Sequence, residues 1–387
     1  MQKTVILSLT VAAVFAIAAP HAQAPQTPAA PNAAPRLVPD PKAAAFAKPA
    51  ADNDTLTAVE GIKVGHFTLK ERPTGCTVIF AKDGTVGSVS QRGGAPGTRE
   101  TDLLDPVNNV QIVNAVVLSG GSAFGLDAAS GTMKWLDEHN IGYPVGANGV
   151  VPIVPSAILM DLGFGGSSKI RPGADCGYAA AGLASEAPVQ QGNFGAGAGS
   201  TVGKSGGARG AGGGPMKAGI GSYAIKLPNG LVVAAIVAVN AVGDIIDPET
   251  GQVVAGARGA DGKLLDARKL LRGGGAQNGR AGENTTIGLV ATNAKLTKVQ
   301  AQKMAMMADD GYGRAINPSH TPGDGDTIFS LATGTWDGAV NYGTVGALAA
   351  EAMAEAVVRA AVFATSSAGL PAARDTGTMP ARYSKIK

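Results

Sequence analysis

Gly282-Glu283-Asn284-Thr285-Thr286-Ile287-Gly288-Leu289-Val290-Ala291-Thr292-Asn293-Ala294 joins two kinds of chain. Before it runs a polar, glycine-laden stretch from Gly256 to Glu283, the composition of an exposed loop. From Ile287 begins an apolar run typical of a buried strand. A threonine therefore stands where a loop feeds a sheet. A hydroxyl so placed can attack its own preceding carbonyl, break the chain, and leave Thr285 with a free α-amine. The residue type suits that chemistry, because a threonine hydroxyl is a weak nucleophile that needs an adjacent base. An α-amino group, titrating near ~7.7–8.0, can be that base around neutral pH.

Other candidates lie on either side. Asp324-Gly325-Asp326 precedes an apolar run, Thr327 to Thr333, that reads as a strand. Residues two apart entering a strand point the same way, so both carboxylates can face one pocket. Two acids around a glycine also make ordinary turns. Calcium is disfavoured because the EF-hand spacing and its distal glutamate are absent. Upstream, Ile220 to Ile225 and Leu231 to Val239 read as a hairpin around Pro228-Asn229-Gly230. Asn240 at its end is either a local backbone partner or an amide aimed at a developing oxyanion. Ala198 to Ser205 fits a relaxed P-loop, but neither the preceding strand nor the following helix that phosphate binding needs is in view. Lys204 then either projects into a hydrolytic site or is a solvated surface lysine. Ser122 lacks the GxSxG spacing of a nucleophile elbow, since Phe124 stands where the second glycine belongs.

Taken together, Asn284-Thr285-Thr286-Ile287 with Ala291-Thr292-Asn293-Ala294, Gly323 to Phe329, Ser119-Gly120-Gly121-Ser122-Ala123-Phe124-Gly125-Leu126-Asp127, Gly203-Lys204 and Val239-Asn240-Ala241 resemble the DmpA-type family. That family comprises the L-aminopeptidase D-esterases, the β-peptidyl aminopeptidases and the nylon-oligomer hydrolases, and the resemblance runs from about Ala58 to Gly369. It implies an α/β fold, a four-layer αββα sandwich, split by the protein itself between Asn284 and Thr285. It implies Thr285 as nucleophile, Asn240 as oxyanion donor, and Lys204 with Asp324 and Asp326 holding the nucleophile and its protons. Gly121, Ser122 and Phe124 would help build the substrate pocket. The substrate would be a small peptide, amide or ester, and the cleaved heterodimers would assemble into a homo-oligomer. Threonine with Asp-Gly-Asp looks closer to the nylon-oligomer type. Pro155-Ser156-Ala157 stands where some members carry an aromatic residue, which leaves substrate size open.

The rest of the chain bounds these readings. Apolar residues make up 45% of the 387, enough for a sizeable core, while 4% aromatic content and 56 glycines point to close backbone packing. A net charge of +3 with scattered lysines and arginines argues against a nucleic-acid partner. Residues 1–24 read as a signal peptide: Lys3 in the n-region, an apolar stretch from Thr4 to Ala19, and Ala22-Gln23-Ala24 at its end. Cleavage after Ala18 and an uncleaved anchor are the alternatives, and a periplasmic or secreted mature chain is expected, with no membrane attachment after processing. Residues 25–55, rich in alanine and proline, read as a disordered linker, and 56–387 as one hydrolase domain.

Cys76 and Cys176 are expected as two buried thiols, although an oxidising compartment would let them pair. No cofactor is expected, and no zinc motif occurs. His21, His66, His139 and His320 lack triad or HExxH context, which disfavours a Ser-His-Asp hydrolase and a zinc protease. Helices are expected over Ala123 to His139, Pro155 to Leu162, Cys176 to Ala187, Thr297 to Ile316 and Leu348 to Phe363, with a polar tail over 370–387. Short strands are expected over Thr77 to Phe80 and Thr85 to Val89 around Asp83-Gly84, and over Val110 to Leu118. The competing functional classes are a nucleotide-binding protein using Ala198 to Ser205 and a non-catalytic periplasmic binding protein.

Overall fold

A computed structural model describes residues 38–206, 213–274 and 284–386. The expected signal peptide, the first part of the expected linker and residues 275–283 of the glycine-rich loop lie outside them.

The hairpin around Asn229-Gly230 forms as the turn chemistry demands. β7 (Ile220–Lys226) and β8 (Val232–Asn240) pair antiparallel, and Gly230 takes φ +87°, a conformation open to glycine without steric cost. β8 pairs in turn with β9 (Thr285–Thr292), every residue of which is buried. The absence of polar alternation in β9 has a structural reason, since both of its faces are covered. Ile287, Leu289 and Ala291 belong to the core between the sheets, and Val290 belongs to the core under the helices. β9 then feeds helix α3 (Lys298–Ala315), which starts at a capping box between Thr297 and Gln300. The chain returns through β10 (Thr327–Ala332), parallel to β9, and continues into α4 (Tyr342–Val362).

The other half follows the same plan. β1 (Ile62–Thr68) and β2 (Gly75–Ala81) are antiparallel, β2 pairs with β5 (Ala115–Ser119), and β5 leads through α1 (Ala128–Glu138) to the parallel β6 (Ser156–Ile158), followed by α2 (Ala174–Gly182). β3 (Val86–Gln91) and β4 (Thr98–Arg99), consecutive in the chain, close the edges of opposite sheets. The orders are β1-β2-β5-β6-β4 and β7-β8-β9-β10-β3. One apolar cluster joins the two sheets, and two more join each sheet to its helices, so the molecule is a four-layer αββα sandwich.

Glycine and alanine set the layer spacing. A Cβ at Gly221 would stand 2.0 Å from the Ala356 carbonyl oxygen of α4, and one at Gly131 would stand 1.7 Å from that of Ala174. Such approaches leave no room for aromatic side chains, which accounts for their scarcity.

Several expectations are corrected. Cys76 and Cys176 form a disulfide, because α2 packs on β2 and brings their Cα atoms to 6.2 Å. The apolar run from Pro155 is not a helix. Ser156–Ile158 is a buried strand between β5 and β4, a case in which a short apolar run has no periodicity to separate the two forms. The two short strands expected around Asp83-Gly84 do form, as β2 and β3, and they enter different sheets. The helix expected from Ala123 opens as a 3-10 segment, Ser122–Asp127, with Phe124 exposed rather than on an apolar face. Val299 is likewise exposed, whereas Met304, Ala308 and Ala315 are core. Ordered strand at the end of the Val110 run begins only at Ala115. Within the Gly256 loop, Ala257 is buried and Ala267–Arg272 is helical, and Asp244 accepts the backbone N–H groups of both Ala257 and Ala267. The polar tail is not free: Ala372 and Ala373 are buried, and Met379, Tyr383 and Ile386 pack on the core. Residues 38–55 carry a one-turn helix, Pro41–Ala44, and end in buried Asn53 and Thr55.

Candidate active site

Thr285 is the first residue of β9, at the end of the sheet where β8 finishes, and Asn240 is its direct partner across the ladder. The Thr285 hydroxyl donates to the carbonyl oxygen of Asn284, the peptide group that precedes it. That oxygen also accepts the backbone N–H of Gly325 at 2.9 Å. Thr285 and Asn284 are both almost fully buried. Gly325 is required by contact, because a Cβ there would come within 2.8 Å of Thr285 Oγ1 and of the Ala95 carbonyl oxygen.

The Asp324-Gly325-Asp326 turn enters β10 beside β9, so the parallel pairing carries both acids to the Thr285 end of the sheet. Asp326 Oδ1 accepts the Thr286 N–H at 2.8 Å. Asp324 Oδ2 accepts the N–H of Thr321 at 2.9 Å and its hydroxyl at 2.6 Å, while Oδ1 is buried and has no hydrogen-bond partner among the described residues. Burial, together with the neighbouring Asp326 charge, raises the Asp324 pKa, and the Thr321 hydrogen bonds and the Lys204 charge only partly oppose this. A carboxyl whose pKa is raised in this way is a better proton acceptor than an ordinary aspartate.

Asn240 is buried and fixed from both sides. Its Oδ1 accepts the Lys204 ammonium at 2.9 Å and the Thr201 N–H at 3.1 Å, which leaves Nδ2 as the outward donor, with one N–H on the Met160 carbonyl oxygen at 2.8 Å. Lys204 also bonds the Asn240 carbonyl oxygen at 2.9 Å. It thus turns towards Asn240, and among the described residues its loop is a short strand, Thr201–Val202, and a 3-10 turn, Lys204–Gly206, with the segment 207–212 that would open a phosphate-binding helix lying outside them.

A third strand end joins them. The turn after β5 places Gly121 at φ +85° and Ser122 at φ +55°, with the Gly121 N–H on Asp161 Oδ1 at 2.9 Å and the Ser122 N–H on the Leu159 carbonyl oxygen at 3.0 Å. Asp161 is held by a fully buried ion pair with Arg72 at 2.7 Å and by the Thr74 hydroxyl at 2.5 Å. Met160, whose carbonyl orients Asn240, is therefore anchored next to the same glycine turn. Ser122 accordingly serves the turn's backbone. Phe124 lies further out, its ring 3.6 Å from the Arg171 guanidinium carbon.

A model of the family described as peptidase family S58 matches residues 54–374. The chain belongs to peptidase family S58. An uncharacterized aminopeptidase of Mycobacterium leprae is 42% identical over 345 residues, covering 83% of this chain and 94% of that protein. A 6-aminohexanoate-oligomer endohydrolase of Paenarthrobacter ureafaciens is 30% identical over 319 residues, covering 78% of this chain and 84% of its own length. Among solved structures, the L-aminopeptidase D-Ala-esterase/amidase of Ochrobactrum anthropi, described as a variant among the Ntn hydrolase fold, superposes with TM-score 0.61 at 18% identity, covering 87% of this chain and 98% of that one. A Burkholderia sp. beta-aminopeptidase gives TM-score 0.59 at 20% identity, covering 84% and 92%. At that identity the two structures speak to the fold alone, and they bear out the DmpA-type sandwich. Membership in the S58 family places the chain among aminopeptidase- and amidohydrolase-type enzymes.

Within this S58 site, the sequence pointed to Thr285, Asn284, Asn240, Lys204, Asp324 and Asp326, and the fold brings all six together. It also brings in His320, Thr201, Thr321 and the Met160 carbonyl, which no sequence signal marked. His320 Nδ1 lies 3.0 Å from Asp326 Oδ2. The only hint of it was its place six residues before Asp326.

Proposed function

We propose that this S58 chain is a self-processing amide hydrolase of the N-terminal-nucleophile type with Thr285 as nucleophile. The observation that carries the reading is the Thr285 hydroxyl lying against the carbonyl of Asn284 while the Gly325 N–H donates to the same oxygen. In the first reaction Oγ1 attacks the Asn284 carbonyl carbon and gives its proton to a base, a role we assign to Asp324, which bridges Asn284 through the backbone and whose Oδ1 has no hydrogen-bond partner among the described residues. The oxygen gains negative charge opposite the Gly325 donor. The C–N bond breaks as the departing nitrogen takes a proton, leaving an ester between Asn284 and Thr285. Water then cleaves the ester, releasing the Asn284 carboxylate and a Thr285 with free hydroxyl and free amine.

Turnover repeats the chemistry on a substrate amide. The α-amine accepts the hydroxyl proton as Oγ1 attacks, and Asn240 Nδ2 stabilises the oxyanion. Lys204 fixes the orientation of that amide. The leaving amine takes the proton, and water, activated by the same α-amine, hydrolyses the acyl-threonine. The substrate class is a small amide, either an aminoacyl amide with a free amino end, in keeping with the aminopeptidase relative, or an ω-amino acid oligomer, in keeping with the 6-aminohexanoate-oligomer endohydrolase. The Cys76–Cys176 disulfide supports an oxidising, exported location.

Amino-terminal sequencing and intact mass of the purified protein test this directly. Two fragments are expected, the smaller starting at Thr285, and Thr285→Ala is expected as one unbroken, inactive chain. An active single chain would overturn the reading.

A further inference from the structure

We propose that His320 is a positioning residue that orders Asp326 and, through it, the Thr286 amide and the Thr285 nucleophile beside it. The inference rests on the Thr285 assignment and goes beyond it.

Three observations place His320 there. Its backbone N–H donates to Asp326 Oδ2 at 2.9 Å, and its ring Nδ1 stands 3.0 Å from the same oxygen. The other oxygen of that carboxylate accepts the Thr286 N–H at 2.8 Å, so one carboxylate connects His320 to the residue following the nucleophile. His320 also holds φ +56°, a left-handed conformation that a non-glycine residue keeps only where its surroundings enforce it.

The ring sits between acids from two elements. Asp326 faces it from its own loop. From α3 come Asp309, buried, and Tyr312, whose ring is 5.8 Å away. Asp309 accepts the Ser90 hydroxyl at 2.6 Å and lies 3.4 Å from Nε of Arg92, the charged group that follows β3. Asp324 stands two residues from Asp326. Burial alone would disfavour the imidazolium, but Asp326 and Asp309 outweigh it and raise the His320 pKa above the ordinary 6.5. Burial likewise raises the Tyr312 pKa, so that hydroxyl stays neutral. A protonated His320 is therefore the countercharge that fixes Asp326, and deprotonation loosens the contact. Both self-cleavage and turnover should fall on the alkaline side as that proton leaves.

The test compares wild type, Thr285→Ala, His320→Asn and Asp309→Asn, each followed by denaturing gel for processing and by kcat and KM on an aminoacyl p-nitroanilide from pH 6 to 10. His320→Asn should lower kcat about tenfold or more with little change in KM, and it should lack the wild-type alkaline limb. Asp309→Asn keeps the imidazole but removes one carboxylate, so the limb should move to lower pH. If both variants keep the wild-type limb, the His320 proposal fails, and if His320→Asn does not fold, the position of the limb in Asp309→Asn decides. An unsplit, active wild type or an active Thr285→Ala would instead sink the Thr285 reading itself.

Discussion

Asn240 and Thr285 are register partners across the antiparallel β8–β9 ladder, each the terminal residue of its strand at the same end of the sheet. The hairpin that positions Asn240 and the junction that positions Thr285 are thus locked to one another by main-chain hydrogen bonds. A one-residue slip would send one of the two side chains to the opposite face.

That pairing makes Asn240→Ala informative. Loss of one preorganised oxyanion donor costs about 10²–10³ in kcat, and the substitution also strips Lys204 of its Oδ1 acceptor. The expected result is a kcat loss in that range with KM nearly unchanged, read from steady-state hydrolysis of an aminoacyl p-nitroanilide. A KM effect at constant kcat would show that Asn240 binds ground-state substrate instead.

Gly325→Ala should slow self-cleavage strongly without unfolding the chain. The new Cβ would press on Thr285 Oγ1, 2.8 Å away, and displace the hydroxyl from the Asn284 carbonyl. Gly313 on α3 is the control: nothing lies within 4 Å of a Cβ there, and alanine should leave processing intact while adding roughly 0.5–1 kcal/mol of stability. Time-resolved gels report the first effect and denaturant melts the second.

Breaking the Cys76–Cys176 bond should destabilise the protein. The bridge closes a separation of 100 residues, and a loss of about 2–5 kcal/mol is expected for the Cys76→Ser, Cys176→Ser double variant. Chemical reduction of the wild type should lower its Tm in the same direction, whereas reductant should leave the Tm of the double variant where it was.

Lys217 supplies a pH-dependent contribution to stability. It is fully buried, bonding the carbonyl oxygens of Gly197 at 3.2 Å and Ser200 at 3.0 Å together with that of Ala218. Burial pushes its pKa down to about 7 from 10.5, with the Asp161 charge opposing. The native state thus favours the neutral amine relative to the unfolded chain. The associated stability is greatest above 10.5 and is lost progressively as pH falls towards 7. Between pH 7 and 9.5 wild type should therefore gain stability with rising pH relative to Lys217→Met, measured as urea midpoints. Parallel curves would exclude a titrating Lys217.

Much of the site was legible because its chemistry is local. Thr285 announced itself by standing where a polar, glycine-rich run meets an apolar one, and Asp324-Gly325-Asp326 by its spacing ahead of a strand. The Asn229-Gly230 hairpin followed from turn chemistry, and α3 from Thr297 as its cap. What failed were short segments whose environment comes from elsewhere. Ser156–Ile158 is a strand only because β5 and β4 flank it. Phe124, apolar in sequence, is exposed because the turn before it twists the chain outward through two positive-φ residues.

The sequence by itself determined which residues are candidates for the proposed chemistry, since a threonine at a loop-to-strand junction, the peptide bond before it and a pair of acids are properties of short stretches. Only the tertiary structure decided their company: that Lys204 faces Asn240 and not a phosphate, that Cys76 meets Cys176, and that His320 stands against Asp326. Those contacts join segments far apart along the chain or turn a side chain towards one neighbour and away from another. They come from strand register and from layers packed at glycine distance, which no local pattern of residue types encodes.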